Sequence, residues 1–437
     1  MGGILKKRLS YRQTIEYLYE HLPMYQRIGK AAYKADLSNT LALDEYFGHP
    51  HLQFNTIHIA GTNGKGSVSH ILASIFQEAG RKTGLYTSPH MKDFRERIKI
   101  NGEPVPKDYV VEFFAEHKET FDAIKPSFFE MTVALAYEYF ADQEVDIAIV
   151  ETGLGGRLDS TNIITPIVSV ITNIGTDHSE FLGNSPEEVA AEKAGIIKPK
   201  IPVVIGERQK ETAGIFDLKA EEFESLIVFA SDNYTCTSSA GKQKKRQVFQ
   251  VKNKIGAGYK NLQTDLRGEY QKKNAVTALQ TLEVLKRHNL EISREEIYRG
   301  FKSVVKNTGL LGRWQILGQN PKIICDSVHN TEGMKEVINQ LRNCAGDHLH
   351  MVLGFTDDEK VDNILKLLPN NATYYFTHAS LPRAMKADKL MKKAHIAGLK
   401  GSAYKTPHEA LNQAKKQASP SDIIFVGGST YVVAEII

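Results

Sequence analysis

Residues 58–72 read HIAGTNGKGSVSHIL, a glycine-rich turn between an apolar run and a helical pattern. A common phosphate-binding loop places four residues between its first glycine and a Gly-Lys pair. Here only two residues separate Gly61 from Gly64-Lys65, and Gly66 stands where Ser or Thr usually follows the lysine. The stretch is therefore either a shortened loop of that kind or an unrelated turn, and the residues around it decide.

The residues on both sides of the turn favour a strand and a helix. TIHIA (residues 56–60) is an apolar run of strand length. After the turn, apolar residues recur at i, i+3, i+4 and i+7 as far as Ala79, and Gly80 supplies a stop. Glycines let backbone amides turn toward an anion, and a helix N-terminus adds its positive end. This context predicts a loop that binds nucleotide phosphates.

The loop residues have individual roles in that prediction. Lys65 would reach the β- and γ-phosphates, and the hydroxyl of Ser67 would bind phosphate or help to hold Mg²⁺. The loop residues expected to bind the nucleotide are Gly61, Thr62, Asn63, Gly64, Lys65, Gly66 and Ser67.

Length and composition indicate a cytoplasmic protein of two or three domains. A chain of 437 residues is too long for one compact core. A net charge of +4 is nearly neutral over this length, so it argues neither for a nucleic-acid partner nor for a membrane surface. No run approaches the ~20 apolar residues of a spanning helix, and the N-terminus does not resemble a signal peptide. Three scattered cysteines fit a reducing compartment.

Short apolar runs alternate with helical patterns through the first part of the chain. Further strands are expected at residues 84–87, 145–151, 167–172 and 202–205. This alternation predicts an α/β fold with a doubly wound, mostly parallel sheet that helices cover on both faces.

The pattern changes between residues 227 and 254, where IVFAS and a later polar stretch predict antiparallel strands joined by a polar turn. This region is expected to form a small antiparallel addition to the N-terminal domain. The turn carries a basic run, which is either a nucleic-acid patch or a solvated hairpin tip, and the absence of interleaved aromatic residues favours the tip. The run comprises Lys242, Lys244, Lys245 and Arg246.

A second α/β series follows a break in the pattern. Residues 274–287 form an amphipathic helical pattern, and residues 302–312 lose periodicity. Beyond them, KIICDS, LHMVLGF, TYYFTHA and DIIFVGGS predict strands with helices between them. We therefore expect an N-terminal domain at residues 1–305, a linker at 306–312 and a smaller Rossmann-like α/β domain at 313–437.

Motifs in both predicted domains resemble one protein family. AGTNGKGS is similar to the shortened phosphate-binding loop of the Mur ligase superfamily. Six further motifs resemble, in order, those of the folylpolyglutamate synthase / dihydrofolate synthase family, so the resemblance covers most of the chain. They are TSPHMKDFRERIKING (87–102), ETGLGGRLDSTN (151–162), TDHSEFLG (176–183), EKAGI (192–196), GRWQ (312–315) and DSVHN (326–330).

The resemblance implies an ATP-dependent ligase, with an ATP-binding first domain and a glutamate-ligase second domain. ATP would phosphorylate the carboxyl group of a folate or of dihydropteroate, and the amine of L-glutamate would then attack the acyl phosphate, releasing ADP and phosphate. Phosphoryl transfer of this kind depends on positioning and charge neutralisation. The implied cofactors are ATP and two Mg²⁺ ions, and the implied protein is a monomer that binds small molecules only.

Three side chains are candidates for binding Mg²⁺. Glu151 ends the apolar run VDIAIVE, at the sheet edge where α/β proteins bind ligands; it would hold the metal or act as a structural cap. The resemblance adds Ser88 and His178 as ligands. Because Mg²⁺ prefers oxygen, chemistry alone favours the neighbouring Asp177, and a structural role for His178 stays open.

Lys193 matches a lysine that the family carries as N6-carboxylysine. A free lysine has a pKa near ~10.4 and would repel Mg²⁺, whereas a carbamate supplies an anionic oxygen, the kind of ligand that this metal prefers. The alternative is an ordinary exposed lysine paired with Glu188 or Glu192. The residues expected to act in catalysis are Lys65, Glu151, His178 and Lys193.

The resemblance also implies substrate contacts on both sides of the linker. Phe129 and Asp159 match positions that hold the pterin, although Phe129 also suits an apolar core. The positions implied to bind ATP are Asn274, Arg313 and Asp326. His329 follows Asp326 closely in the sequence and is expected to line the adenosine pocket. GFTDDEK (354–360) is only loosely similar to the family's Asp-Lys-Asp motif, and Thr331 stands where proline is usual.

Two other functions remain open. A Mur ligase that builds peptidoglycan peptides carries an extra N-terminal domain, for which a loop at residue 61 leaves no room, and its loop typically reads GKT. A nucleotide-binding switch without ligase activity would need an Asp at the end of a strand and no second α/β domain. The sequence leaves open whether the first glutamate is added, the tail is extended, or both.

Overall fold

The computed structural model describes residues 9–23, 36–175, 179–183, 185–240, 246–287, 290–344, 346–357 and 361–437. His178 and its neighbour Asp177 lie outside these residues, and so do Lys242, Lys244 and Lys245 of the basic run. Within the described residues the chain builds three sheets. No helix among them is long and apolar enough to cross a membrane.

The first sheet contains eight strands in the order β4-β3-β2-β5-β1-β6-β7-β8. All neighbours pair in parallel except β3 and β4, which form an antiparallel edge. The carboxyl ends of β1, β5 and β6 therefore meet at one edge, where doubly wound proteins bind ligands. The strands are β1 (Asn55–Ala60), β2 (Thr83–Tyr86), β3 (Ile98–Ile100), β4 (Glu103–Pro104), β5 (Ile147–Glu151), β6 (Val168–Ile171), β7 (Val203–Ile205) and β8 (Ile227–Phe229).

The helices described before the C-terminal sheet include several that begin with a Ser side chain accepting a backbone N–H. Ser127 and Glu130, for example, bond reciprocally at the start of α6. The helices are α1 (Tyr11–His21), α2 (Ser38–Tyr46), α3 (Lys65–Glu78), α4 (Lys107–Glu116), α5 (Lys118–Ile124), α6 (Phe128–Asp142), α7 (Ser179–Leu182), α8 (Pro186–Ala194), α9 (Ala213–Glu222), α10 (Ala230–Asn233), α11 (Gln271–Lys286), α12 (Arg294–Lys302) and α13 (Val304–Thr308).

Both faces of the first sheet are buried, as expected for parallel strands. Ile147 and Ile149 of β5 pack in the core that includes α3 and α11. Ala148 and Val150, on the opposite face of the same strand, pack with α6. This arrangement confirms the predicted doubly wound α/β class and holds the loop after β1 between two packed layers.

The second sheet is antiparallel and contains β9 (Tyr234–Ala240), β10 (Gln247–Asn253) and β11 (Tyr259–Thr264), with β10 in the middle. It confirms the small antiparallel addition. The assignment of residues 227–229 to it was wrong, because they form β8 and pair in parallel with β7. They follow α9, so the chain crosses back over the first sheet before they pair, as in a βαβ unit.

The third sheet has the order β12-β13-β17-β14-β15-β16 and is parallel apart from the antiparallel β12–β13 pair. Apolar cores cover both of its faces. Its strands are β12 (Gln315–Gln319), β13 (Lys322–Asp326), β14 (Leu349–Gly354), β15 (Thr373–Phe376), β16 (Gly401–Ala403) and β17 (Ile423–Gly428), and its helices are α14 (Thr331–Arg342), α15 (Val361–Leu365), α16 (Ala387–Ile396), α17 (Pro407–Gln417) and α18 (Thr430–Ile436).

Ordered structure extends further into the expected linker than its sequence suggests. Residues up to Thr308 form α13, and Thr308 is fully buried. Lys99 Nζ donates to its carbonyl over 2.7 Å, and His70 Nδ1 lies 2.7 Å from its hydroxyl. The irregular segment between α13 and β12 is therefore residues 309–314, in which Gly309 and Gly312 both have a φ of 66°.

Candidate active site

The loop after β1 is held by the segment that follows β6. The N–H groups of Thr62 and Asn63 donate to the carbonyl and the side-chain oxygen of Asn173, each over 2.9 Å. The hydroxyl of Thr172 donates to the carbonyl of Asn63 over 2.6 Å. Gly61 has a φ of 143°, and a Cβ there would lie 1.9 Å from Thr172 Oγ1. The first loop residue therefore has to be glycine.

Two lysines donate to the same loop carbonyl. Lys65 Nζ lies 2.9 Å from the oxygen of Gly61 and 3.3 Å from that of Thr62. Lys193 Nζ, which comes from α8, also lies 2.9 Å from the oxygen of Gly61. Two cationic groups thus converge on the turn at which the nucleotide phosphates are expected.

Lys193 is 3% exposed, so the alternative of an ordinary exposed lysine was wrong. Glu192, one of its two expected partners, instead pairs with Arg157 over 2.8 Å. Because α8 ends one residue after Lys193, its last turn carries the side chain toward the loop after β1.

The start of α3 faces the start of α11. A Cβ on Gly64 would lie 2.3 Å from Asn274 Oδ1, so α11 approaches the loop closely at this point. Asn274 Nδ2 donates to Gln271 Oε1 over 2.8 Å, and Gln271 Nε2 donates to Ser67 Oγ over 3.1 Å. The structure therefore brings Asn274 to the phosphate-binding loop, although 210 residues separate it from Gly64.

Glu151 stands at the carboxyl end of β5, beside the loop. Its Oε2 accepts the N–H of Ser88 over 3.3 Å and would lie 3.6 Å from a Cβ on Gly66. Burial raises the pKa of Glu151 to about 7, against the opposing effect of the Lys65 charge. A buried carboxylate whose ionised form is disfavoured gains from a nearby cation.

The chemistry of these donors fits Mg²⁺. The Glu151 carboxylate and the Ser88 hydroxyl offer oxygen ligands, which this hard cation prefers, and the backbone N–H of Ser88 holds the two residues together. No group of three or more His, Cys, Asp or Glu side chains among the described residues could hold a metal ion, and His178 is not one of those residues.

Phe129 and Asp159 lie beside the segment that follows Glu151. The half-buried ring of Phe129 lies against Gly153, where an added Cβ would come within 2.4 Å of the ring. Asp159 is 4% exposed and accepts the N–H groups of Leu154 and Thr161 over 2.7 and 3.0 Å. The structure thus brings both residues to one loop, and these hydrogen bonds keep the Asp159 carboxylate within it.

Asp326 ends β13 and is 2% exposed. Its Oδ2 accepts the hydroxyl of Tyr270 over 2.6 Å and the N–H of Trp314 over 3.0 Å. Burial raises the pKa of Asp326, and the charge of Arg313 opposes this shift. Tyr270 directly precedes α11, which packs against the first sheet, and Asp326 belongs to the third sheet. This hydrogen bond therefore connects the two parts of the chain that these sheets form.

The side chains of Arg313 and His329 both contact the backbone carbonyl of Ser327, the residue after Asp326. Arg313 Nη1 donates to the carbonyl of Ser327 over 3.4 Å, and His329 Nδ1 lies 3.2 Å from the same oxygen. The three side chains implied to bind ATP from the C-terminal part of the chain therefore lie close together.

A pair of amides joins the phosphate-binding loop directly to the C-terminal part. Asn63 Nδ2 donates to Asn330 Oδ1 over 3.2 Å, and Asn330 Nδ2 donates back to Asn63 Oδ1 over 2.9 Å. The same Asn330 oxygen accepts the N–H of Gly333 and begins α14. The loop and α14 thus share one side chain.

Three further residues belong to this site but were not predicted from the sequence: Tyr270, Gln271 and Asn173. Gln271 and Asn274 are one helical turn apart, so two amides on the apolar face of α11 were a usable signal. The sequence pattern begins this helix at residue 274, and that boundary hides the pair. Asn173 has no signal in its local pattern, because its role depends on the loop that packs against it.

Two protein-family models match the chain. The Mur ligase middle domain matches residues 59–282, and the Mur ligase glutamate ligase domain matches residues 312–430. A dihydrofolate synthase/folylpolyglutamate synthase from Bacillus subtilis (strain 168) is 32% identical over 424 residues, covering 93% of this chain and 95% of that protein.

Two solved structures have the same architecture over nearly their whole length. The folylpolyglutamate synthase from Thermotoga maritima is 30% identical with a TM-score of 0.80, covering 97% of this chain and 95% of that one. Escherichia coli FolC in complex with DHPP and ADP is 27% identical with a TM-score of 0.85, covering 98% of this chain and 97% of that one.

Proposed function

Because the chain belongs to the folylpolyglutamate synthase / dihydrofolate synthase family of the Mur ligases, we propose that it joins L-glutamate to the carboxyl group of a folate or of dihydropteroate. ATP phosphorylates that carboxyl group, the amine of glutamate displaces the phosphate, and ADP and phosphate are released. The observation that carries the proposal is the loop after β1, where Lys65 and Lys193 meet Gly61 beside the buried Glu151.

Lys65 acts on the phosphates of ATP. Its ammonium group already lies at the loop, at 2.9 Å from the carbonyl of Gly61. Turning from that carbonyl toward the β- and γ-phosphates neutralises charge that develops during transfer, which is the main catalytic need of phosphoryl transfer. The loop N–H groups and the start of α3 add further positive character.

Glu151, Ser88 and His178 would hold Mg²⁺. The metal, when bound, neutralises phosphate charge and orients the phosphates. Glu151 contributes a carboxylate at the carboxyl edge of the sheet, and its buried position keeps competing water away. For Ser88 the support is its contact with Glu151, and for His178 it is the family resemblance alone.

Lys193 would serve a second Mg²⁺ as N6-carboxylysine. The ammonium group first loses one proton, and the neutral amine then adds to the carbon of CO₂, forming an N–C bond, breaking one C–O π bond and releasing a second proton. A cation thereby becomes an anionic oxygen ligand. The 3% exposure of Lys193 supports this step, because burial favours the neutral amine. Its contact with Gly61 places the side chain beside the phosphate-binding loop.

The folate pocket would form at the loop after Glu151. The ring of Phe129 offers a face for stacking against the pterin, and Asp159 offers a carboxylate for its N–H groups. Because Asp159 accepts two N–H groups of its own loop, it would act by shaping that loop as well as by touching the substrate.

The nucleotide would lie between an N-terminal domain (residues 1–305) and a C-terminal domain (313–437), joined by a linker at 306–312. Asn274 would contact it from one side, and Arg313, Asp326 and His329 from the other. Closure of the two domains would exclude water from the acyl phosphate, which hydrolyses readily. We expect the enzyme to work as a monomer in the cytoplasm, without a nucleic-acid or membrane partner.

The decisive experiment measures ADP release with dihydropteroate or tetrahydrofolate, each with and without L-glutamate. ADP release that needs both the acid and glutamate supports the proposal, and the preferred acid tells whether the first glutamate is added or a tail is extended. Turnover with a UDP-sugar peptide acid instead would identify a peptidoglycan ligase. ATP hydrolysis that ignores both substrates would identify a switch and refute the proposal.

A further inference from the structure

Gln271 is completely buried, although its amide has four hydrogen-bonding positions to satisfy. Its side chain lies between two residues of the proposed nucleotide site, Ser67 and Asn274. We propose that Gln271 is a positioning residue that orients the Ser67 hydroxyl so that this hydroxyl donates to a nucleotide phosphate. The inference rests on the proposed function, which gives Ser67 and Asn274 their roles.

The direction of the hydrogen bonds follows from which atoms can donate. Asn274 Nδ2 can only donate, and it does so to Gln271 Oε1 over 2.8 Å. The amide nitrogen of Gln271 therefore faces Ser67 and donates to its Oγ over 3.1 Å. Ser67 accepts from Gln271, so its own hydrogen remains for another acceptor. At the start of α3, that acceptor is an oxygen of the phosphate chain.

The burial of its two partners strengthens the hold of Gln271 on this orientation. Ser67 is 1% exposed and Asn274 is 6% exposed, so water does not compete freely for either side chain. Asn274 also stands close to the loop, because its Oδ1 would lie 2.3 Å from a Cβ on Gly64. Gln271 therefore links two proposed nucleotide contacts, Asn274 and Ser67, by hydrogen bonds, without itself contacting the nucleotide.

The chain offers a matched control on the same helix. Gln280 is 4% exposed, and its Oε1 accepts the side-chain N–H of Asn233 over 2.8 Å. It resembles Gln271 in burial and in its asparagine partner, but that partner lies in α10 and not at the phosphate-binding loop. Gln280→Ala therefore reports what a buried glutamine of α11 contributes to folding alone.

The test measures the Kd of ADP by calorimetry, together with the melting temperature, for Gln271→Ala, Ser67→Ala, the double variant and Gln280→Ala. We expect each of the first two to raise the Kd about tenfold, the equivalent of about 1.4 kcal/mol. The double variant should be no weaker than the worse single one, because both changes remove the same contact. Gln280→Ala should lower the melting temperature and leave the Kd within twofold of wild type.

Two further arms separate the hydrogen bond to Ser67 from a loss of packing and from a role in metal binding. Gln271→Met keeps the size without adding a charge but has no donor for Ser67, so it should fold and still lose ADP affinity. The loss in Gln271→Ala should be the same with Mg²⁺ and with EDTA, because the contact is with phosphate. A loss that disappears in EDTA would mean that Ser67 acts through the metal and would overturn the inference.

Additive effects of Gln271→Ala and Ser67→Ala would also overturn it, as would unchanged ADP affinity in Gln271→Ala. The failure of the proposed function has a different signature, since a wild-type protein that binds no ADP refutes both statements together. A wild type that binds ADP while Gln271→Ala behaves like Gln280→Ala refutes the inference alone.

Discussion

Gly61→Ala is expected to disrupt the phosphate-binding loop more than a left-handed glycine alone would explain. Gly61 has a φ of 143°, a conformation that costs an L-residue about 1–3 kcal/mol. Its new Cβ would lie 1.9 Å from Thr172 Oγ1, so the Thr172 side chain must turn away. That movement breaks the hydrogen bond from Thr172 to the carbonyl of Asn63, worth about 1 kcal/mol. The expected loss of stability is therefore about 2–4 kcal/mol.

Gly80→Ala isolates the backbone contribution. Gly80 ends α3 with a φ of 74°, and a Cβ there would have no neighbour within 4 Å. Only the left-handed conformation is then unfavourable, at about 1–2 kcal/mol. With roughly 2–4 °C lost per kcal/mol for a domain of 150–250 residues, Gly61→Ala should melt several degrees below Gly80→Ala in a thermal-shift assay.

Nucleotide affinity should separate the two variants further. The carbonyl of Gly61 accepts hydrogen bonds from the Nζ atoms of Lys65 and Lys193, so a shifted Gly61 displaces both side chains. We expect the Kd of ADP to rise at least about tenfold in Gly61→Ala, equivalent to 1.4 kcal/mol, and to stay within about twofold in Gly80→Ala. Adding Thr172→Ala to the Gly61→Ala variant removes the atom with which the new Cβ clashes, so the double variant should recover part of the lost stability. Equal melting temperatures and equal ADP affinities for the two glycine variants would show that the contact with Thr172 does not constrain the loop.

Further tests address the two lysines proposed to act in catalysis, the linker and the response to acid. Lys65→Ala should melt within a few degrees of wild type and lose nearly all turnover; activity above a tenth of wild type would contradict its phosphate role. Lys193→Ala should lose activity and its dependence on a second Mg²⁺, and acetate should partly restore both, whereas full activity in CO₂-free buffer would exclude the carbamate. Limited proteolysis should cut near Gly309, more slowly with ATP and folate, and segments 1–308 and 309–437, which leave α13 whole, should each be inactive; indifference to ligands would count against closure. Burial, together with the charge of Lys198, lowers the pKa of His58 to about 3. Between about pH 6.5 and 3 the unfolded chain therefore binds a proton at His58 that the folded chain does not bind. Stability should therefore fall as the pH drops from about 6.5 toward 3, and His58→Gln should flatten that slope; an equal slope would assign it to another group.

Local patterns sufficed for most of the architecture. The apolar run at residues 56–60 became Asn55–Ala60, and the run at 202–205 became Val203–Ile205. Short apolar segments bounded by glycine or polar residues are best buried as strands of a sheet that is covered on both faces. The loop between β1 and α3 was predictable for the same reason, because strand, glycines, lysine and helix follow one another directly.

The features that could not be predicted from the sequence depend on contacts between residues that are far apart in the chain. Ile227–Phe229 has the composition of a strand, but its sheet is decided by pairing with Val203–Ile205, some twenty residues earlier. Lys193 has the local pattern of an exposed helical lysine, yet its contact, the carbonyl of Gly61, is 132 residues away. Spacing along the chain carries no information about such a contact, so burial of Lys193 could only be seen in three dimensions.

Because the side-chain amides of Asn63 and Asn330 bond each other, the phosphate-binding loop is held by contacts from two parts of the chain. Neither part can be transplanted with its binding geometry intact, because each leaves one amide without its partner. The peptide connection at residues 309–314 keeps the two amides at a high local concentration, of the millimolar order that short tethers provide. A protein assembled from two separate polypeptides would need comparable concentrations of both to recover the same loop, so fission of such a gene would separate folding from nucleotide binding.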